Sequence, residues 1–117
     1  MKIGVFNPIV QDKTFEEACA YLSAKGVQMI EIGCGGYPGK AHCNPQVLLH
    51  DDAALEEFKA TLKRNNLEIS ALSAHGNMLH PNKEIAASFD NDLTDAILLA
   101  EKLGVPIVNT FSGCPGD

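Results

Sequence analysis

Hydrophobic positions along this chain switch repeatedly between a strand-like and a helix-like period, always in the same order. Lys2 to Phe6 reads as a short first strand. Thr14 then opens a helix whose Glu17 completes a capping box, and Phe15, Ala18, Cys19 and Leu22 form its inward stripe at helical spacing. Gly26 is the stop, and Met29 to Ile32 is the second strand. Asp51 or Asp52 caps a second helix with Leu55, Phe58 and Leu62 on one face and Glu56, Glu57, Lys59, Lys63 and Arg64 outside. Asn65-Asn66 ends it, and Leu67 to Ser73 is the third strand. A third helix turns Phe89, Leu93, Ala96, Ile97, Ala100 and Leu103 inward, with an extra turn at Glu84 to Ala87. Gly104 closes it before a fourth strand, Val105 to Phe111. The junctions Lys25-Gly-Val-Gln-Met-Ile, Asn65-Asn-Leu-Glu-Ile and Leu103-Gly-Val-Pro-Ile-Val share one design: helix stop, apolar residue, strand.

Strands alternating with helices predict an α/β fold with a parallel sheet and right-handed crossovers, in strand order 1-2-3-4. In such sheets ligands sit at the carboxyl ends of the strands. The exits there are Asn7-Pro8, Glu31-Ile-Gly-Cys-Gly-Gly, Ser73-Ala-His-Gly-Asn-Met-Leu-His-Pro and Asn109-Thr-Phe-Ser-Gly-Cys-Pro-Gly. The loops after strands two and three are about 18 and about 10 residues long, against a usual median near 4 to 6, and long ordered loops carry function.

Glu31 is a carboxylate at the carboxyl edge of an apolar strand, so it needs a partner. Either it pairs with a neighbouring strand or helix, or it accepts hydrogen bonds from a substrate or an ordering side chain; the strand-end position favours the second. His75 shares a face with Ala71 and Ser73 and arrives with Gly76, Asn77 and His80. An imidazole there can donate, accept or ligate, which makes it a functional candidate, whereas His80 alone reads as structural.

The 117 residues, 45% hydrophobic and 21% charged, suit one domain spanning residues 1–117 with its own core. Nine Lys and Arg against 15 Asp and Glu give a net charge of -6, with no basic patch beyond Lys63-Arg64, so nucleic acid is not an expected partner. No apolar run approaches a membrane span and no signal-peptide core follows Met1-Lys2, so a cytoplasmic protein without a membrane partner is expected. The four cysteines include no CxxC pair and are expected to be reduced thiols. Cys34, His42, Cys43 and His50 fall close together, but their spacing matches no standard zinc module. The glycines of Gly33-Cys-Gly-Gly-Tyr-Pro-Gly39 lack the Walker A pattern, and Asn7-Pro8-Ile9-Val10 lacks the dinucleotide glycines. Nucleotide cofactors are not expected. Cys114, at a strand exit, has no evident base beyond His75, so nucleophilic catalysis has no support.

Lys2-Ile-Gly-Val-Phe, Gly26-Val-Gln-Met-Ile-Glu-Ile-Gly, Ile69-Ser-Ala-Leu-Ser-Ala-His-Gly-Asn-Met-Leu-His-Pro and Ala100-Glu-Lys-Leu-Gly-Val-Pro-Ile-Val-Asn-Thr-Phe-Ser-Gly resemble the first four β-α units of the sugar-phosphate isomerase/epimerase superfamily, whose members are xylose isomerase-like TIM barrels. The resemblance implies the first four strands of a (β/α)8 barrel and metal-assisted proton transfer between adjacent carbons of a sugar, sugar phosphate or polyol. It implies a divalent metal (Mn, Mg, Co or Zn) held by two Glu, an Asp and a His on later strands, hence none held by this chain alone. It further implies that Glu31 and His75 line the sugar-binding mouth. His75 is then the catalytic candidate, and Glu31, Asn77, Asn109 and Thr110 are substrate-binding candidates. In the related apurinic endonucleases a strand-three histidine ligates zinc, but the acidic balance and the lack of a histidine-rich pair of strand exits disfavour that activity. A non-catalytic sugar-binding or assembly half-barrel is the alternative.

A complete barrel needs about 250 residues. The sequence is therefore expected to be the amino-terminal part of a longer gene product, or else a half-barrel that pairs with another copy. Strands one and four would be open edges, with an inner face of Ile3 or Val5, Ala71 and Ile107.

Overall fold

The computed structural model describes residues 1–116. Four parallel strands, β1 (Gly4–Phe6), β2 (Met29–Gly36), β3 (Glu68–His75) and β4 (Val108–Asn109), form one sheet in the order β1-β2-β3-β4. Between them run α1 (Phe15–Ala24), a single-turn α2 (Pro45–Leu48), α3 (Asp52–Arg64) and α4 (Lys83–Leu103), and a 3-10 turn at Asn7–Val10 follows β1.

The helix ends follow local chemistry. Thr14 accepts a bond from the Glu17 N–H, while the Glu17 carboxylate accepts from the Thr14 N–H, which closes the capping box. Asp51, rather than Asp52, caps α3 by accepting from the Ala54 N–H at 3.0 Å. Gly104 ends α4 at φ +71°, a left-handed conformation in which a side chain would be strained. Thr14→Ala is expected to cost about 1 kcal/mol and to lower Tm by about 4–8 °C, measurable by thermal unfolding followed by circular dichroism. An unchanged Tm would mean that the α1 terminus is frayed in solution.

The helices cover one face of the sheet. Ile30, Ile32, Leu72 and Ala74 point to that side and are fully buried against Ala18, Cys19 and Leu22 of α1, Leu55, Phe58 and Leu62 of α3, and Ala96, Leu99 and Ala100 of α4. Burying each large aliphatic chain contributes about 1.5–3 kcal/mol. Phe15 stacks on Phe58 with ring centroids 4.7 Å apart, locking α1 to α3.

Several expectations shift. The α4 stripe turns Leu99 inward and leaves Ile97 about half exposed, because the helix begins at Lys83 and its packing face is fixed by Ala96 and Ala100. In β1, Val5 packs into the helix-side core, so alternation places Phe6 on the inner face beside Glu31 and leaves Ile3 on the outer side. Strand four keeps only Val108–Asn109 of its expected seven residues; among the described residues it has no partner on its far side, and Pro106 has no N–H to give.

Candidate functional site

The inner face of the sheet carries the polar residues. Glu31 pairs in register with Phe6 and Ala71, and Ser73 with Gly33 and Asn109, so Glu31, Ser73 and Asn109 meet at the carboxyl ends of β2, β3 and β4. Ser73 donates its hydroxyl to Glu31 Oε1, and Asn109 donates its amide to the same oxygen at 2.9 Å. Oε2 accepts no bond among the described residues. The carboxylate is thus held by one oxygen and presents the other as an acceptor.

His75 follows on the same face. Phe111 stacks on its ring at 4.5 Å and Phe6 meets it edge-on at 6.1 Å. Nδ1 is sealed from solvent and has no hydrogen-bond partner among the described residues. Such an orphan costs about 1–3 kcal/mol, which a ligand atom or a shift of Phe111 would relieve.

Asn77 and Thr110 stand at the same end but spend their polar atoms on the protein. Asn77 Oδ1 accepts from the Cys114 N–H at 2.8 Å and the Leu79 N–H at 3.1 Å, and its amide donates to the Cys114 carbonyl at 2.7 Å, which ties the β3 and β4 exits together. Thr110 donates to the Ala74 carbonyl at 3.0 Å. His80 accepts from the Asn82 N–H at 3.0 Å, next to the α4 cap.

The long loop after β2 is clamped from two sides. Asn7, fully buried, accepts from the Gly33 N–H at 2.7 Å and donates to His42 Nδ1 at 3.0 Å, while His42 Nε2 donates to the Lys13 carbonyl at 2.8 Å. On the other side Asp92 of α4 accepts from the Gly36 N–H at 2.8 Å and from Lys40 at 2.7 Å. Gly36 has φ +64°, and a Cβ there would overlap the His75 carbonyl oxygen, so glycine lets β2 and β3 run side by side up to the mouth. Sequence reasoning gave Asn7 no role; its signal was a polar amide directly after an apolar strand.

Both nitrogens of His42 are therefore engaged, and Cys34 and Cys43 are buried free thiols. The neighbouring Cys43 thiol lowers the Cys34 pKa, and Cys34 together with burial holds that of Cys43 well above the ordinary thiol range. Among the described residues no group of three or more His, Cys, Asp or Glu side chains could hold a metal. Glu31 and His75 alone do not make a donor set for a metal.

Two cavities bear on the site. One of about 430 Å³ opens at the mouth, lined by Tyr37, Asn77, Phe111, Ser112, Gly113 and Cys114. The other, about 530 Å³, lies at the opposite end between α3 and α4, around Lys63, Asn66 and Gly104. The larger one sits at the amino ends of β3 and β4, where a β/α barrel places stability rather than chemistry. Among the described residues, no helix is long and apolar enough to cross a membrane.

Comparison with known proteins agrees with this architecture. The chain is 31% identical over 116 residues to the uncharacterized protein YfiH of Bacillus subtilis (strain 168), covering 98% of the chain and 36% of YfiH. In fold it is similar to the crystal structure of the probable 3-DHS dehydratase AsbF, involved in petrobactin synthesis in Bacillus anthracis, with a TM-score of 0.64, 18% identity, and coverage of 97% of this chain and 39% of that one. The chain thus spans little more than a third of the length of either protein. The model of the xylose isomerase-like TIM barrel family matches residues 19–117, nearly the whole sheet-and-helix array described above, and the chain belongs to that family.

Proposed function

We propose that this chain forms part of the sugar-binding mouth of an isomerase or epimerase that moves a proton between adjacent carbons of a sugar, sugar phosphate or polyol. The observation that supports it most is the Glu31 carboxylate, anchored through Oε1 by Ser73 and Asn109, with Oε2 free and His75 on the same strand-end face. A carboxylate fixed this way accepts a ligand hydroxyl at little ordering cost. His75 supplies an imidazole able to donate or accept through Nε2 as charge moves on the substrate. This chain's part is to bind and orient; the metal ligands that the resemblance implies lie on strands that would follow β4.

Ligand-observed NMR with D-fructose and myo-inositol tests the reading. Glu31→Ala is expected to weaken binding about tenfold or more and Glu31→Gln to retain part of it. Binding undiminished in Glu31→Ala would overturn the site. Turnover of a ketose by this chain with Mg, Mn, Co or Zn is expected to be nil, since proton transfer needs a base beside the carbon and a means of stabilising the enediolate. Turnover above a Glu31→Ala, His75→Ala control would move the chemistry into this half.

A further inference from the structure

The cavity of about 430 Å³ beside the polar row has a distinct chemistry. Among the described residues its lining includes no lysine, arginine, aspartate or glutamate. Two of the lining residues are aromatic and open to solvent: Tyr37 is 66% exposed and Phe111 50%. Their ring centroids lie 6.1 Å apart at an interplanar angle of 39°. Tyr37 is braced from behind by Phe89 at 5.1 Å, and Phe111 by His75 at 4.5 Å. The wall is therefore positioned although it is exposed, and the Asn77 bonds to both the N–H and the carbonyl of Cys114 fix the loop that completes it.

Glu31 and Asn109 stand outside this lining but on the same sheet face as His75, hydrogen-bonded to each other at the ends of β2 and β4. A mouth with braced aromatic rings next to hydrogen-bonding groups suits a ligand with a C–H face and hydroxyl edges. A phosphate asks for different surroundings, a guanidinium, an ammonium or converging N–H groups. Lys40, in the loop after β2, is committed to Asp92 at 2.7 Å, and the Glu31 carboxylate repels an anion.

We propose that Tyr37 and Phe111 form the subsite for the apolar face of an uncharged polyhydroxylated ring or chain, so that the portion of the substrate lying on this half of the mouth carries no phosphate. The proposal rests on reading the mouth as a sugar site. It predicts selectivity at this half for neutral sugars and polyols over their phosphate esters.

Saturation-transfer NMR on the 117-residue chain, with D-fructose, myo-inositol and D-fructose 6-phosphate as probes, tests it, because ligand-observed signals tolerate association of the protein. The C–H protons of the neutral probes are expected to receive saturation. Tyr37→Ala should weaken their binding about fivefold, and Tyr37→Phe should restore it, since the ring and not the hydroxyl makes the contact. Phe111→Leu should act like Tyr37→Ala. Ile97→Ala, on the outer side of α4, should change nothing. Tighter binding of the phosphate, or neutral-sugar affinity unchanged in both Tyr37→Ala and Phe111→Leu, would overturn the subsite while leaving the Glu31 mouth standing. No binding of any probe would overturn the sugar-site reading and the subsite with it.

Discussion

Replacing Asn7 with alanine is expected to destabilise the fold by about 3–5 kcal/mol, a large share of the 5–15 kcal/mol that holds a typical domain together. The side chain is fully buried and spends both of its polar atoms, one on the Gly33 N–H at 2.7 Å and one on His42 Nδ1 at 3.0 Å. Truncation strands both partners away from water, at about 1–3 kcal/mol each, and leaves a small void besides. Because Gly33 lies where β2 enters the mouth and His42 anchors the loop beyond it, the damage should spread to that loop. Urea unfolding measures the loss as a lower midpoint at unchanged slope. Asn7→Asp should recover only part of it, since a carboxylate restores the bond from Gly33 but sets acceptor against acceptor at His42. A shift under about 1 kcal/mol for Asn7→Ala would mean that the network does not form in solution.

How far the sequence reveals this fold depends on how local each determinant is. Helix starts and stops are settled within four residues, and Thr14 with Glu17, Asn65, and Gly104 all do what their chemistry predicts. Strand ends are settled by partners far along the chain. Strands two and three run on to Gly36 and His75, past the expected Ile32 and Ser73, because Gly36 permits close backbone pairing beyond the apolar run. Two register shifts, between Ile30 and Glu31 and between Gly33 and Gly35, leave no trace in the hydrophobic alternation. The single turn of α2 was missed because four residues are too few to show a period.

The candidate site divides in the same way. Glu31 and His75 were legible because a charged or ionisable residue ending an apolar strand is conspicuous, and the sheet does bring them to one edge. Ser73 and Asn109 as the groups that hold Glu31 were not, since that requires the register across three strands. Asn7 stands out in the sequence only as a strand exit; its clamping role is not legible because its partners lie 26 and 35 residues away. Asn77 is instructive for the opposite reason. The resemblance makes it a substrate-binding candidate, and in the structure both of its polar atoms are engaged by backbone, which depends on where Cys114 falls.

The 117-residue chain produced by itself is expected to self-associate. Among the described residues, strands β1 and β4 each present an edge without a neighbouring strand, and in a barrel each would have one. The inner face between them is apolar in part: Ile107 is half exposed, with Phe6 and Met29 half-buried nearby. Ala71, on the same face, is already covered, so the area on offer is smaller than alternation alone suggests. At about 25 cal/mol per Å² of apolar surface, covering this face still favours association by several kcal/mol before the entropic cost of pairing. Pairing β4 of one copy with β1 of the next keeps the strands parallel, and two copies would bring eight strands together, the number that closes a barrel of this kind. Analytical ultracentrifugation over a range of concentrations distinguishes the outcomes. A dimer or larger species that dissociates on dilution is expected, and charged substitutions on the face, Ile107→Lys above all, should shift it toward monomer. A concentration-independent monomer with cooperative unfolding would show that four β-α units close their own edges, and the open-edge argument would fail.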